Sequence, residues 1–119
     1  MNRDRLFLAD ILKSCDKIAN YIAEGLDGFL ANEMVQDAVI RNLEIIGEAV
    51  KNLSAETKAR ASDQPWRQIA GMRDKLIHQY FGVNLARVWE TAFQILPSFR
   101  SVILELINDL PDEKIDPNA

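Results

Sequence analysis

From Leu85 to Leu110 the residues Leu85, Trp89, Ala92, Leu96, Phe99, Ile103, Leu106 and Leu110 recur in alternating steps of four and three. Only an α-helix places such a series on one face; a strand needs apolar residues at every second position. The register runs unshifted through Pro97. Proline inside a helix removes one backbone donor and kinks the rod, whereas a break with redirection would normally shift the register. The spacing therefore predicts one long kinked helix over about 85–109, capped by Asn84 and stopped by Pro111-Asp112.

The same period runs upstream. Phe7, Ile11, Cys15, Ile18 and Ile22, widened by Leu8, Leu12 and Ala19, predict a first helix after an Asn2 N-cap. It should end at Gly25, with Asp27-Gly28 continuing the break. Asn32 is a good cap for a helix over about 33–53, whose apolar face is Val35, Val39, Leu43, Ile46, Val50 and Leu53. Gly47 sits inside it, and its simplest use is to let another helix approach closely. Ser54 caps a short helix of about 55–61, and Asp63-Gln64-Pro65 breaks and restarts the chain. A further helix over about 66–80 directs Trp66, Ile69, Met72, Leu76 and Phe81 to the core. No stretch has a strand signal.

These elements predict an all-α fold, an antiparallel bundle of four or five helices over residues 1–110, with a disordered tail over 111–119. Second apolar rows, Leu8 and Leu12, Met34 and Ile45, Val88, Ile95 and Val102, exceed what one small bundle readily buries. They point to a two-fold homodimer, with a larger core as the other explanation.

At 119 residues the chain is one domain able to bury a core without staples. No apolar run approaches a membrane span. The opening Met-Asn-Arg-Asp-Arg reads into an amphipathic helix, not a signal peptide, so the expected compartment is the cytoplasm. A single cysteine, Cys15, on an apolar stripe is expected to be a buried small hydrophobe. One histidine and no cysteine cluster offer no metal constellation, and no glycine-rich phosphate loop is present, so neither metal nor cofactor is expected. A net charge of −4 argues against a general nucleic-acid binder but leaves room for a local basic cleft.

Chemistry concentrates in Arg73-Asp74-Lys75-Leu76-Ile77-His78-Gln79-Tyr80. His78 is the only histidine in the chain, with an arginine five residues before it and a tyrosine two after. Histidine titrates near neutral pH, and beside a permanent cation it is a candidate for phosphate chemistry. A histidine near a helix C-terminus also serves simply as a dipole-compensating cation. On a helical wheel Arg73, Ile77 and Tyr80 share a face and Asp74 and His78 are i,i+4 neighbours, while Arg73 and His78 are far apart in angle. They converge only where the helix frays before Gly82 or across an interface with a second copy.

The pattern Arg-x4-His-x-Tyr in this all-helical setting resembles the HEPN motif, and specifically the HepT family of toxins. The likeness extends to Arg41-Asn42-Leu43-Glu44-Ile45-Ile46-Gly47-Glu48-Ala49, to Pro65-Trp66-Arg67-Gln68-Ile69-Ala70-Gly71-Met72, and to Val88-Trp89 and Leu96-Pro97. The resemblance implies a metal-independent ribonuclease toxin of a type II or VII-like toxin–antitoxin pair, acting on transfer or messenger RNA and not on DNA. It implies a catalytic pair, Arg73 and His78, and an antitoxin that is a minimal nucleotidyltransferase, thought in this family to modify the motif tyrosine, here Tyr80, with AMP. Asp74 is a candidate to orient the imidazole, Lys75 to contact phosphate, and Arg41, Asn42 and Glu48 to lie beside the cleft, against the simpler reading of a solvated surface. Two other readings stay open: a non-catalytic helical partner of a nucleotidyltransferase that presents a substrate or holds a nucleotide, and a plain dimerisation module.

Overall fold

The computed structural model describes residues 3–78 and 83–110, and of Ile77 and His78 the backbone alone. Among these residues the fold is all helical: α1 (Asp4–Tyr21), α2 (Gly25–Ala31), α3 (Glu33–Asn52), α4 (Ala55–Ala59), α5 (Trp66–His78), α6 (Leu85–Glu90), a π-helical turn (Thr91–Ile95) and α7 (Leu96–Asp109). No helix among them is long and apolar enough to cross a membrane. Expectations for Asn2, Phe81 and the tail over 111–119 lie outside the described residues.

The helices start where their caps dictate. Asn32 Oδ1 accepts from the Val35 amide at 3.2 Å, Ser54 Oγ from Thr57 at 3.1 Å and Asn84 Oδ1 from Arg87 at 3.3 Å. Each satisfies a donor that the first helical turn leaves orphaned. α1 and α7 run antiparallel, tied at two levels: Arg5 donates to the Leu110 carbonyl at 3.1 Å and Arg100 pairs with Asp16 at 2.7 Å. Between these helices and α3 lies one core that includes Leu8, Ile11, Ile18, Val39, Leu43, Ile46, Val50, Phe99 and Ile103. Cys15 belongs to it, and burial pushes its thiol up to about 12, with Asp16 adding to the rise and Arg100 opposing it. That thiol is a packing group, not a nucleophile.

Three expectations need correction. The break after Gly25 is instead the short helix α2, which Gly25 enters at φ +85°, a conformation open to glycine. Tertiary contacts hold it: Phe29 is fully buried against Trp89 at 5.5 Å, and the Gln36 side chain donates to the carbonyls of Phe29 and Leu30 at 2.9 and 3.1 Å. The last helix is continuous over 85–109, but its irregularity is a π turn that precedes Pro97. Pro97 has no amide to offer the Phe93 carbonyl, and the Leu96 amide reaches back five residues to Thr91. This wide turn alters the inward row, which runs Val88, Ala92, Leu96, Phe99, Ile103, Leu106. Val88 takes the buried place expected of Trp89. Leu8 and Val88, assigned to surplus rows, are in the core, so part of the surplus is absorbed within one chain. Met34, 82% exposed, and Phe93, stacked on Trp89 at 5.2 Å, remain outside.

Asp4 closes the bundle at the α3–α4 corner. Its carboxylate accepts from the Ser54 amide at 3.0 Å, the Ser54 hydroxyl at 2.5 Å and the Thr57 hydroxyl. Burial pushes its pKa up, but these hydrogen bonds, with the field of Lys58, outweigh that and hold it below the ordinary 3.8. A depressed folded-state pKa means that the stabilisation is present above the unfolded value and is lost as pH falls through the folded one. Asp4→Asn is expected to cost about 1–3 kcal/mol at neutral pH. It should also flatten the loss of stability on acidification, both read from urea midpoints between pH 7 and pH 3.

Candidate active site

The site begins at a glycine. A Cβ built on Gly47 of α3 would lie 2.9 Å from Arg73 Cβ, 3.0 Å from the Ile69 carbonyl oxygen and 3.3 Å from the Arg73 amide nitrogen of α5. α5 therefore crosses α3 in contact with its bare backbone, and the residue at the crossing is the motif arginine. The close approach expected of Gly47 is present, and its partner is Arg73. Trp66 anchors the other end of α5: it is buried, donates to the Ala61 carbonyl at 2.9 Å and meets Phe99 edge-on at 5.4 Å.

The crossing fixes the guanidinium. Arg73 Nε pairs with Glu48 Oε2 at 2.8 Å, one residue beyond Gly47, and Nη1 donates to Asp74 Oδ1 at 3.3 Å. The Arg73 side chain is about one third exposed, so the group is held by both carboxylates and still reached by solvent. Glu48 and Asp74 are thus brought to Arg73 and act as its counter-ions. Two carboxylates against one guanidinium leave the cluster with a formal charge of −1, and an incoming phosphate has to compete with them for the same donors.

The other sequence candidates divide. Asn42 is buried, its Nδ2 donating to the Ala38 carbonyl at 2.9 Å, and about 140° from Gly47 around α3, so it points away from the crossing. Its Oδ1 is buried and unpartnered among the described residues. Arg41 is exposed and loosely paired with Glu44 at 3.7 Å. It lies on the Glu48 stripe of α3, two turns away. Lys75 is exposed and pairs with no carboxylate among the described residues. α5 is helical up to His78, so the wheel angle of about 140° between Arg73 and His78 is retained in its backbone. The His78 side chain and all of Tyr80 lie outside the described residues, as does any contact between Asp74 and the imidazole. Sequence reading did not single out a shallow cleft of about 540 Å³ at the start of α5, lined by Lys58, Gln64, Arg67 and Gln68 among others. Its signal was available in the local charge balance. Among the described residues no cluster of three or more His, Cys, Asp or Glu could hold a metal ion.

An antiparallel helical bundle that carries an arginine on a glycine crossing, five residues ahead of its only histidine, has the form of a HEPN ribonuclease domain. The family described as Ribonuclease HepT-like matches residues 11–106, and this chain belongs to it. A protein of Caldanaerobacter subterraneus subsp. tengcongensis, provisionally named as an RNase, is 42% identical over 112 residues, covering 90% of this chain and 96% of its own. One from Methanocaldococcus jannaschii, also provisionally named as an RNase, is 42% identical over 110 residues, 92% of this chain and 95% of its own. One from Thermococcus cleftensis, named as a probable ribonuclease HepT, is 43% identical over 95 residues, 79% of this chain and 86% of its own. No solved structure matches the chain.

The crossing predicts the effect of filling it. Gly47→Ala gains about 1 kcal/mol of helix propensity. It also drives a methyl into the backbone of α5, and overpacking of this kind typically costs about 1–3 kcal/mol. The variant is expected to melt below the parent in thermal denaturation, and Gly47→Leu further below still.

Proposed function

We propose that this protein is a metal-independent RNA endonuclease, the toxin of a toxin–antitoxin pair, working as a homodimer with Arg73 and His78 as its catalytic residues. The observation that carries this reading is Arg73 itself: a motif arginine pinned by the Gly47 crossing and Glu48, with its side chain still about one third exposed. That is a preorganised donor for charge that gathers on phosphorus-bound oxygens.

Neutral His78 removes the proton of a ribose 2′-hydroxyl. The freed oxygen attacks the adjacent phosphorus, Arg73 stabilises the equatorial oxygens, and the 5′-oxygen leaves with a proton. The products are a 2′,3′-cyclic phosphate and a free 5′-hydroxyl. In-line attack separates base and acid, and one histidine serves both poorly. The wheel angle between Arg73 and His78 adds the same demand, which a second copy of α5 across a two-fold axis would meet. RNA is the substrate and DNA is not, because the nucleophile is the 2′-hydroxyl. The partner is a minimal nucleotidyltransferase antitoxin, and Tyr80 is the residue it modifies. An AMP there adds negative charge and bulk one heptad from Arg73, and competes for its cationic face.

One observation favours the second reading, a non-catalytic partner of a nucleotidyltransferase: the two carboxylates already on Arg73. Cleavage of RNA by purified protein decides between them. His78→Ala and Arg73→Ala are each expected to abolish cleavage, by at least about a hundredfold, while remaining folded. A 2′-deoxy nucleotide at the scissile position should resist, and chelator should have no effect; normal cutting of the deoxy substrate or loss of activity in chelator overturns the mechanism.

Tyr80 has its own test. Tyr80→Phe is expected to keep most cleavage yet escape enzymatic silencing on co-expression with the antitoxin. Mass spectrometry of the parent protein should place AMP on the peptide that contains Tyr80, and adducts elsewhere reject the assignment.

A further inference from the structure

The acidic chain hides a basic segment. Residues 51–75 hold six Lys or Arg against three Asp or Glu, whereas the rest of the chain holds eight against fifteen. Lys58 and Arg67 of this segment converge on the cleft of about 540 Å³ at the start of α5, together with the amides of Gln64 and Gln68. Arg67 pairs with no carboxylate among the described residues, and Lys58 meets acid only through its longer-range field on Asp4.

Arg67 of the cleft also begins one stripe of α5. At about 100° per residue, Arg67, Gly71, Asp74 and His78 fall on a single side of the helix, with Lys75 at its edge, over about 16 Å. This side is opposite Ile69, which is buried in the core. A Cβ on Gly71 would meet nothing within 4 Å, so the middle of the stripe is bare and open. The acid within it, Asp74, is tied to Arg73.

We infer that the Lys58–Arg67 cleft and the bare Gly71 stripe form a groove that binds the backbone of single-stranded RNA away from the scissile bond and leads it to His78. The inference rests on the ribonuclease reading above. RNA is favoured over a protein partner because the cleft offers two cations and two amides, while Trp66, its large aromatic, is buried with its indole nitrogen already bonded. Without an exposed stacking platform, affinity comes from phosphate contacts, so binding is sequence-tolerant and salt-dependent. A local basic groove also explains how a chain with net charge −4 engages a polyanion.

The test measures binding of the His78→Ala protein to an unstructured RNA of about 20 nucleotides across a salt series. Adding Lys58→Glu and Arg67→Glu is expected to weaken binding at least about tenfold at ~50 mM salt and to reduce the log–log salt slope by about 1.4, the loss of two phosphate contacts. Lys13→Glu with Lys17→Glu, two exposed lysines of α1, imposes the same change in net charge and should leave the slope unmoved. Equal effects from both pairs mean that only the overall field matters, and they overturn the groove. So does an unchanged slope in the Lys58/Arg67 variant when the parent protein cleaves RNA, and in that case the ribonuclease reading stands. No cleavage by the parent and no binding at any salt overturn both.

Discussion

The contact of α5 with the bare backbone of Gly47 is the constraint on which the site depends. A glycine in the middle of a twenty-residue helix gives up helix stability. What it allows is an approach no side chain permits, with Arg73 Cβ and the Ile69 carbonyl where a methyl would stand. Everything about the guanidinium follows. Its stem is pinned by packing, its Nε is turned to Glu48 and its Nη1 to Asp74, and about one third of the side chain stays exposed. An arginine on a freely solvated helix has none of this preorganisation and loses side-chain entropy each time it binds.

The bundle holds this crossing by ties that brace it from outside. Asp4 locks the start of α1 to the α3–α4 corner, and Trp66 locks the start of α5 to Ala61 and to Phe99 of α7. α5 is thereby fixed at its beginning and at its midpoint, while the residues that complete the motif follow at its far end.

Charge is arranged on the same plan. Glu48 and Asp74 counter Arg73 in the free protein, so the strongest cation of the site is not an open trap for any anion. Under the proposed ribonuclease reading, phosphate binding draws on other cations as well, and Lys58 of α4 and Arg67 at the start of α5 line one cleft.

The sequence by itself determined the helical class, the three side-chain caps at Asn32, Ser54 and Asn84, the Ile11, Cys15 and Ile18 face of α1, the Val39, Leu43, Ile46 and Val50 face of α3, and the motif that marks the family. These are local facts: a 3.6-residue period and a side-chain oxygen three residues before an amide act over one turn and are written in adjacent residues. Only the tertiary structure decided that the Asp27-Gly28 stretch is helical, because burying Phe29 against Trp89 outweighs the two glycines. It alone placed the irregularity of the last helix ahead of Pro97, exchanged Trp89 for Val88 in the core, and chose Arg73 as the neighbour of Gly47. Each of these rests on a partner distant in sequence, and a period read along one helix contains no information about which helix will lie across it.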